Sequence, residues 1–173
     1  MKKLVATFLL AGTLTSCFAQ PGEFAKYKDS INHFTIGIPA GWRYGVNKTY
    51  PEIKLIAIRN ARDSSDKPHE NFNLNVIEQK NSSLDIQYEK LVNALRSTTD
   101  FSIAKSDTIT INGQFFKWFI EEHKNSINAL PMSNYVFVTF KNEKTYILTF
   151  VAFSTNFREY EALFLAIAKT FMI

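Results

Sequence analysis

Thr108–Ile120 (TITINGQFFKWFI) decides the fold. Asn112-Gly113 separates two apolar runs and reads as a type I′ hairpin turn, because both central residues of that turn need positive φ. In the second strand, Phe115 and Phe119 occupy one parity, while Phe116, Trp118 and Ile120 occupy the other. A strand that is apolar on both faces needs cover on both sides of its sheet. The fold is therefore layered, with the sheet in the middle.

The same pattern recurs downstream. Tyr135–Phe140 and Tyr146–Phe153 form a second hairpin through Lys141-Asn142-Glu143-Lys144. Tyr146, Leu148 and Phe150 share one face, and Ile147, Val151 and Phe153 the other. Upstream, Phe34, Ile36 and Ile38 alternate with Thr35 and Gly37, and Pro39-Ala40-Gly41 closes that strand. Further strands are expected at Ile53–Ile58 and at Phe72, Leu74 and Val76, which alternate with Asn71, Asn73 and Asn75. Short pieces at Phe101–Lys105 and Thr108–Ile111 precede the first hairpin turn. Ser82 reads as an N-cap with Asp85 three residues on. It opens a helix whose Leu84, Tyr88, Leu91, Val92 and Leu95 recur at helical spacing. A last helix starts near Asn156 and carries Phe157, Tyr160, Leu163, Phe164, Ile167 and Phe171 on one side. The expectation is an α+β protein, a three-layer α/β/α sandwich with a mostly antiparallel sheet. Both helices on one face is the alternative.

The chain has 173 residues, the size of one domain. Six glycines and 25 aromatic residues (16 Phe, 7 Tyr, 2 Trp) exclude disordered and Gly-rich phosphate-binding classes and fit a filled core. Residues 1–17 read as an export signal, in which Lys2 and Lys3 precede the apolar Leu4–Leu14, a run too short to span a bilayer. Leu14-Thr15-Ser16-Cys17 resembles the lipobox of bacterial lipoproteins. That resemblance implies a diacylglycerol on the Cys17 thiol, palmitate among its acyl chains, and membrane attachment through lipid. Cleavage after Ala19 is the alternative and would release a soluble secreted or periplasmic protein. With Lys2 and Lys3 removed, 18 basic residues face 16 acidic ones of interspersed sign. No clustered basic face for nucleic acid remains. Residues 18–30 are expected as a tether, and residues 31–173 as a single domain.

Phe34-Thr-Ile-Gly-Ile-Pro39-Ala-Gly-Trp42 looks like the opening of PsbP-like domains, where a short strand ends in Pro-x-Gly-Trp. The order of elements over residues 26–173 is compatible, and bacterial DcrB-like envelope lipoproteins resemble it in architecture and address. Those families usually show a Ser-Phe pair near the end of the last helix, where this chain has Thr170-Phe171. The resemblance implies an accessory or partner-binding protein of the cell envelope with no shared catalytic set and no cofactor. Phe18-Ala19-Gln20, with no acidic residue straight after the cysteine, resembles the enterobacterial sorting pattern for the outer membrane, with the domain facing the periplasm.

The residues themselves point the same way. His33, His69 and His123 show no metal-ligand spacing, and no G-x-S-x-G elbow is present. No catalytic or metal site is expected. A hydrolase whose site is assembled from loops around His69 or His123 stays as an alternative, and so does a carrier for an apolar ligand, prompted by the many phenylalanines. For partner contact, Gly41–Pro51 offers Trp42, Arg43 and Tyr44, and residues 121–134 offer Leu130 and Met132. The competing expectation is that these side chains fold back on their own sheet, Trp42 over a sheet end.

Overall fold

The structure is a computed structural model that describes residues 23–67 and 69–173. Its elements are β1 (Phe24–Asp29), β2 (Phe34–Pro39), β3 (Trp42–Gly45), β4 (Ile53–Arg59), β5 (Asn71–Glu78), α1 (Leu84–Leu95), β6 (Ser102–Ile111), β7 (Gln114–Lys124), β8 (Pro131–Lys141), β9 (Lys144–Phe153) and α2 (Phe157–Lys169). Seven strands form one antiparallel sheet in the order β3-β4-β5-β9-β8-β7-β6, while β1 and β2 pair separately. The export signal and Cys17 lie outside the described residues.

Two apolar clusters flank the large sheet. Phe72, Leu74, Phe116, Phe137, Leu148 and Phe150 pack with Phe157, Phe164 and Ile167 of α2 and with Phe34, Ile36 and Ile38 of β2. On the other side Phe119, Val136, Val138 and Ile147 pack with Val92, Tyr88 and Leu91 of α1. The helices therefore sit on opposite faces, as the two-sided strands predict. On the α2 side, the β1–β2 hairpin completes the covering layer. Fully burying one such side chain contributes about 1.5–3 kcal/mol. These clusters carry the hydrophobic stabilisation.

Several local expectations are corrected. Residues 24–29 are the strand β1, paired with β2 from Phe24↔Pro39 to Asp29↔Phe34, and not part of a tether. Trp42–Gly45 forms β3 on the sheet edge instead of lying in a loop. The helix cap is Ser83, whose hydroxyl accepts from the Ile86 N–H at 3.3 Å; Ser82 instead accepts from the Gln87 side chain at 2.6 Å. The two short pieces before Asn112 are one strand, β6, interrupted by a bulge between Ile103 and Lys105. The loop expected over 121–134 shrinks to residues 125–130, because β7 and β8 pair out to Lys124↔Pro131. For β1, β3 and the ends of β7 and β8, ladder hydrogen bonds claimed residues whose side-chain pattern carried no strand signal.

The Asn112-Gly113 turn has φ of 49° and 77°, as a type I′ turn requires. The Asn112 amide also donates to the carbonyls of Lys169 at 3.0 Å and Phe171 at 2.8 Å. It thereby satisfies the carbonyl groups that a helix end leaves without partners. One turn residue joins the β6–β7 hairpin to the end of α2.

Candidate functional site

α1 covers only part of its side of the sheet. Tyr88 meets Phe119 edge-on at 5.6 Å, Lys117 Nζ lies 5.1 Å from the Tyr88 ring centroid, and Lys117 pairs with Asp85 at 2.5 Å. These contacts hold the helix over β7 and β8, with Ile147 and Ile77 beneath its flank. The opposite end of β4, β5 and β9, together with β3, carries no helix among the described residues.

Strand register shows what that open part contains. One row across the sheet runs Arg43–Ile58–Asn71–Val151–Asn134–Glu121, and the next runs Gly45–Ile56–Asn73–Thr149–Val136–Phe119. Val136 and Phe119, under α1, are fully buried; Ile56, Ile58, Asn71, Asn73, Thr149 and Val151 are only half-buried. The open floor is a mixture of neutral amides, one hydroxyl and branched aliphatic side chains. At its β3 edge lies a depression of about 220 Å³ lined by Arg43, Gly45, Ile56 and Ile58. Arg43 brings the one charge of these two rows that is exposed.

A polar cluster borders this floor. Glu121 is 1% exposed, accepts from the Asn134 amide at 2.5 Å, and is bonded to His123 Nδ1 at 2.9 Å. Burial pushes its carboxyl above the usual range, although the His123 and Asn134 bonds oppose that shift. In the next row His123 lies beside Met132, which lies beside Phe153, and the His69 ring packs on Phe153 at a tilt of 50° with centroids 4.1 Å apart. His123 and Phe153 are two strand spacings apart, about 10 Å. Among the described residues no three His, Cys, Asp or Glu side chains are grouped to hold a metal. No serine or threonine hydroxyl there bonds to either histidine ring.

The 60–70 loop is tied down beside the same end. Arg59 Nε donates to Glu70 at 2.7 Å, and its terminal nitrogens donate to both oxygens of Asp66 at 2.5 and 2.9 Å. The Arg59 fork holds Asp66 well below the usual carboxylate range. Burial alone would raise Glu70, but Arg59 outweighs it and the net direction is down.

The five residues expected to contact a partner do not form one surface. Trp42 turns to the α2 side and packs against Phe72 with ring centroids 6.1 Å apart. Tyr44, 56% exposed, meets Tyr27 of β1 at 5.8 Å. Arg43 and Met132 share the α1 face but stand four strand spacings apart, about 19 Å. Met132 is buried at 6%, and Leu130 is 43% exposed in the short turn before β8. Asn71, Asn73 and Thr149 were not expected at a site. The alternation of NFNLN places the amides opposite Phe72 and Leu74, but only the position of α1 shows that no helix among the described residues covers them.

No protein-family model matches the chain, and no curated protein is significantly similar in sequence. Solved structures are. Cyanobacterial PsbP (CyanoP) from Synechocystis sp. PCC 6803 superposes with a TM-score of 0.64 at 16% identity, covering 94% of this chain and 99% of its own. The fold is PsbP-like. LpqN of Mycobacterium tuberculosis, described as involved in cell envelope biogenesis, matches at a TM-score of 0.60 and 10% identity over 90% of this chain and 86% of its own. PA94 of Pseudomonas aeruginosa, a protein of unknown function, matches at 0.56 and 14% over 88% and 97%. At these identities the PsbP-like likeness establishes architecture, and the site rests on this chain's own residues.

Proposed function

We propose that the chain is a lipid-anchored accessory protein of the bacterial cell envelope, non-catalytic, which binds a partner protein on the open part of its α1-side face. The observation that carries this reading is the row Arg43–Ile58–Asn71–Val151, half-buried or exposed, whereas Val136 and Phe119 of the neighbouring row are closed under α1. Mixed aliphatic and amide side chains around one arginine suit a protein surface better than a small charged substrate. The lipobox-like Leu14–Cys17 supports attachment through Cys17, with the outer membrane and a periplasm-facing domain as the address. The involvement of LpqN in cell envelope biogenesis agrees with that address. The apolar-carrier alternative loses its motive, since Phe72, Phe116, Phe119, Phe137, Phe150 and Phe164 are consumed in the two cores.

A photo-crosslinking residue placed at Asn73 or Thr149 of the full chain in its native envelope tests the face. The expected result is a discrete protein adduct at both positions and none at Glu159, which is exposed on α2. Adducts only at Glu159, or none at Asn73 and Thr149, overturn the assignment. Palmitate labelling of wild type against Cys17→Ala tests the anchor separately: label is expected on wild type alone, and an unlabelled wild type removes the lipid.

A further inference from the structure

The sheet ends at β6, which is hydrogen-bonded to β7 and to no second strand among the described residues. Residues 102–108 and 110 are exposed. Ile111 and Gln114 close the two-residue turn and so form a hydrogen-bonded pair; pairs then alternate along an antiparallel ladder. Ile109, Asp107 and Lys105 consequently turn their backbone groups to β7. Thr110 and Ser106 present free N–H and C=O groups outward, and Thr108 presents its C=O, its N–H being held by one oxygen of the Asp107 carboxylate at 2.7 Å.

Such an edge is a template for another strand. The side chains restrict which strand. In antiparallel self-pairing about a two-fold axis, centring on Lys105 or on Asp107 sets like charges opposite each other, and centring on Thr108 sets Asp107 against Ile109. Centring on Ser106 alone sets Lys105 opposite the partner's Asp107, twice. It also makes Ser106 opposite Ser106 a hydrogen-bonded pair, as its outward groups require. The Lys105–Asp107 pairs then fall at non-hydrogen-bonded positions, where cross-strand side chains come closest. The bulge between Ile103 and Lys105 ends the regular ladder and blocks longer pairings.

We propose that β6 is a self-association edge, pairing antiparallel with β6 of a second copy about Ser106 to join two seven-stranded sheets. This contact is independent of the partner face, which lies towards the other end of the sheet. The ladder involves Lys105–Asp107 of each copy, between the bulge at Ala104 and the internally bonded Thr108 N–H, a small interface in the weak, concentration-dependent class.

Two measurements on the full chain test it. Sedimentation from micromolar to millimolar concentration is expected to show a reversible dimer, weakened about tenfold or more by Lys105→Asp or Asp107→Lys and restored by the double exchange. Oxidation of Ser106→Cys is expected to give a disulfide dimer above the baseline that Cys17 sets in wild type, whereas Thr110→Cys alone gives none. A monomer at every concentration overturns the proposal. So does a dimer indifferent to both charge reversals, or a Ser106→Cys dimer no more abundant than the baseline. Should a charge variant fail to fold, the cysteine experiment still decides.

Discussion

The Thr170 hydroxyl accepts the Gly37 backbone N–H at 2.7 Å and donates its own proton to the Ile167 carbonyl at 2.6 Å. One side chain thus joins the end of α2 to β2, 133 residues away. Thr35 and Met172 add two backbone bonds of 2.8 and 3.0 Å beside it. The approach is close enough to demand glycine, since a Cβ at position 37 would stand 2.9 Å from Phe24 Cβ and 3.0 Å from the Thr170 oxygen. The Thr-Phe departure from the Ser-Phe pair of PsbP-like domains therefore keeps the hydroxyl that does the joining.

Thr170→Ser is expected to leave stability within about 0.5 kcal/mol, and Thr170→Val to cost about 1–2 kcal/mol, because the Gly37 donor and the Ile167 acceptor lose their partner. Urea denaturation measures both. Gly37→Ala should cost more than Thr170→Val, since one of its two close neighbours is Phe24 Cβ, which cannot swing away. Equal stability of all three variants would show the contact to be incidental.

Asn112 serves the turn and the helix at once, and two substitutions separate the roles. Asn112→Gly retains the positive φ but removes the amide that reaches Lys169 and Phe171; a loss of about 1 kcal/mol is expected. Asn112→Ala adds the left-handed backbone cost of about 1 kcal/mol and should be the less stable of the two. Thermal unfolding in which alanine equals glycine would contradict the turn assignment.

The Arg59 cluster should make the 60–70 loop acid-labile. Asp66 and Glu70 both have folded-state pKa values below their unfolded ones. Their contribution is complete above the ordinary carboxylate pKa of about 4, and is lost as pH falls through the depressed folded values. Hydrogen exchange at Arg59 and Arg62, whose amides bond to the Glu70 carbonyl and the Asp66 carboxylate, should lose protection progressively as pH falls from about 4 through those depressed values, after correction for intrinsic rates. Arg59→Ala should remove that protection at neutral pH as well. Protection that persists in wild type at low pH would refute the pinning.

Trp42 is half-buried against Phe72, so Trp42→Ala is expected to cost about 2 kcal/mol, below the 3–5 typical of a fully buried aromatic. Trp42→Phe should recover much of it. An unchanged melting temperature in Trp42→Ala would count against the packing role.

How much of this was legible in the residue order follows from the range of the forces involved. Asn112-Gly113 and the parity of Phe115–Ile120 are local, and from them come the hairpin, the two-sided sheet and the need for cover on each face. Side-chain pattern says little where a strand is polar or edge-placed, which is why β1, β3 and the ends of β7 and β8 were read as tether or loop. Their strand state comes from ladder hydrogen bonds to partners distant in sequence. The same holds for the site. Arg43 was singled out by residue type and does line the open face, whereas Trp42 and Tyr44, its immediate neighbours, point to the other side because side chains alternate along a strand. Asn71 and Asn73 were visible as the polar parity of β5. That they lie beyond the cover of the helix depends on where α1 lands, and the packing of Tyr88, Val92 and Leu91 on β7 and β8 decided that.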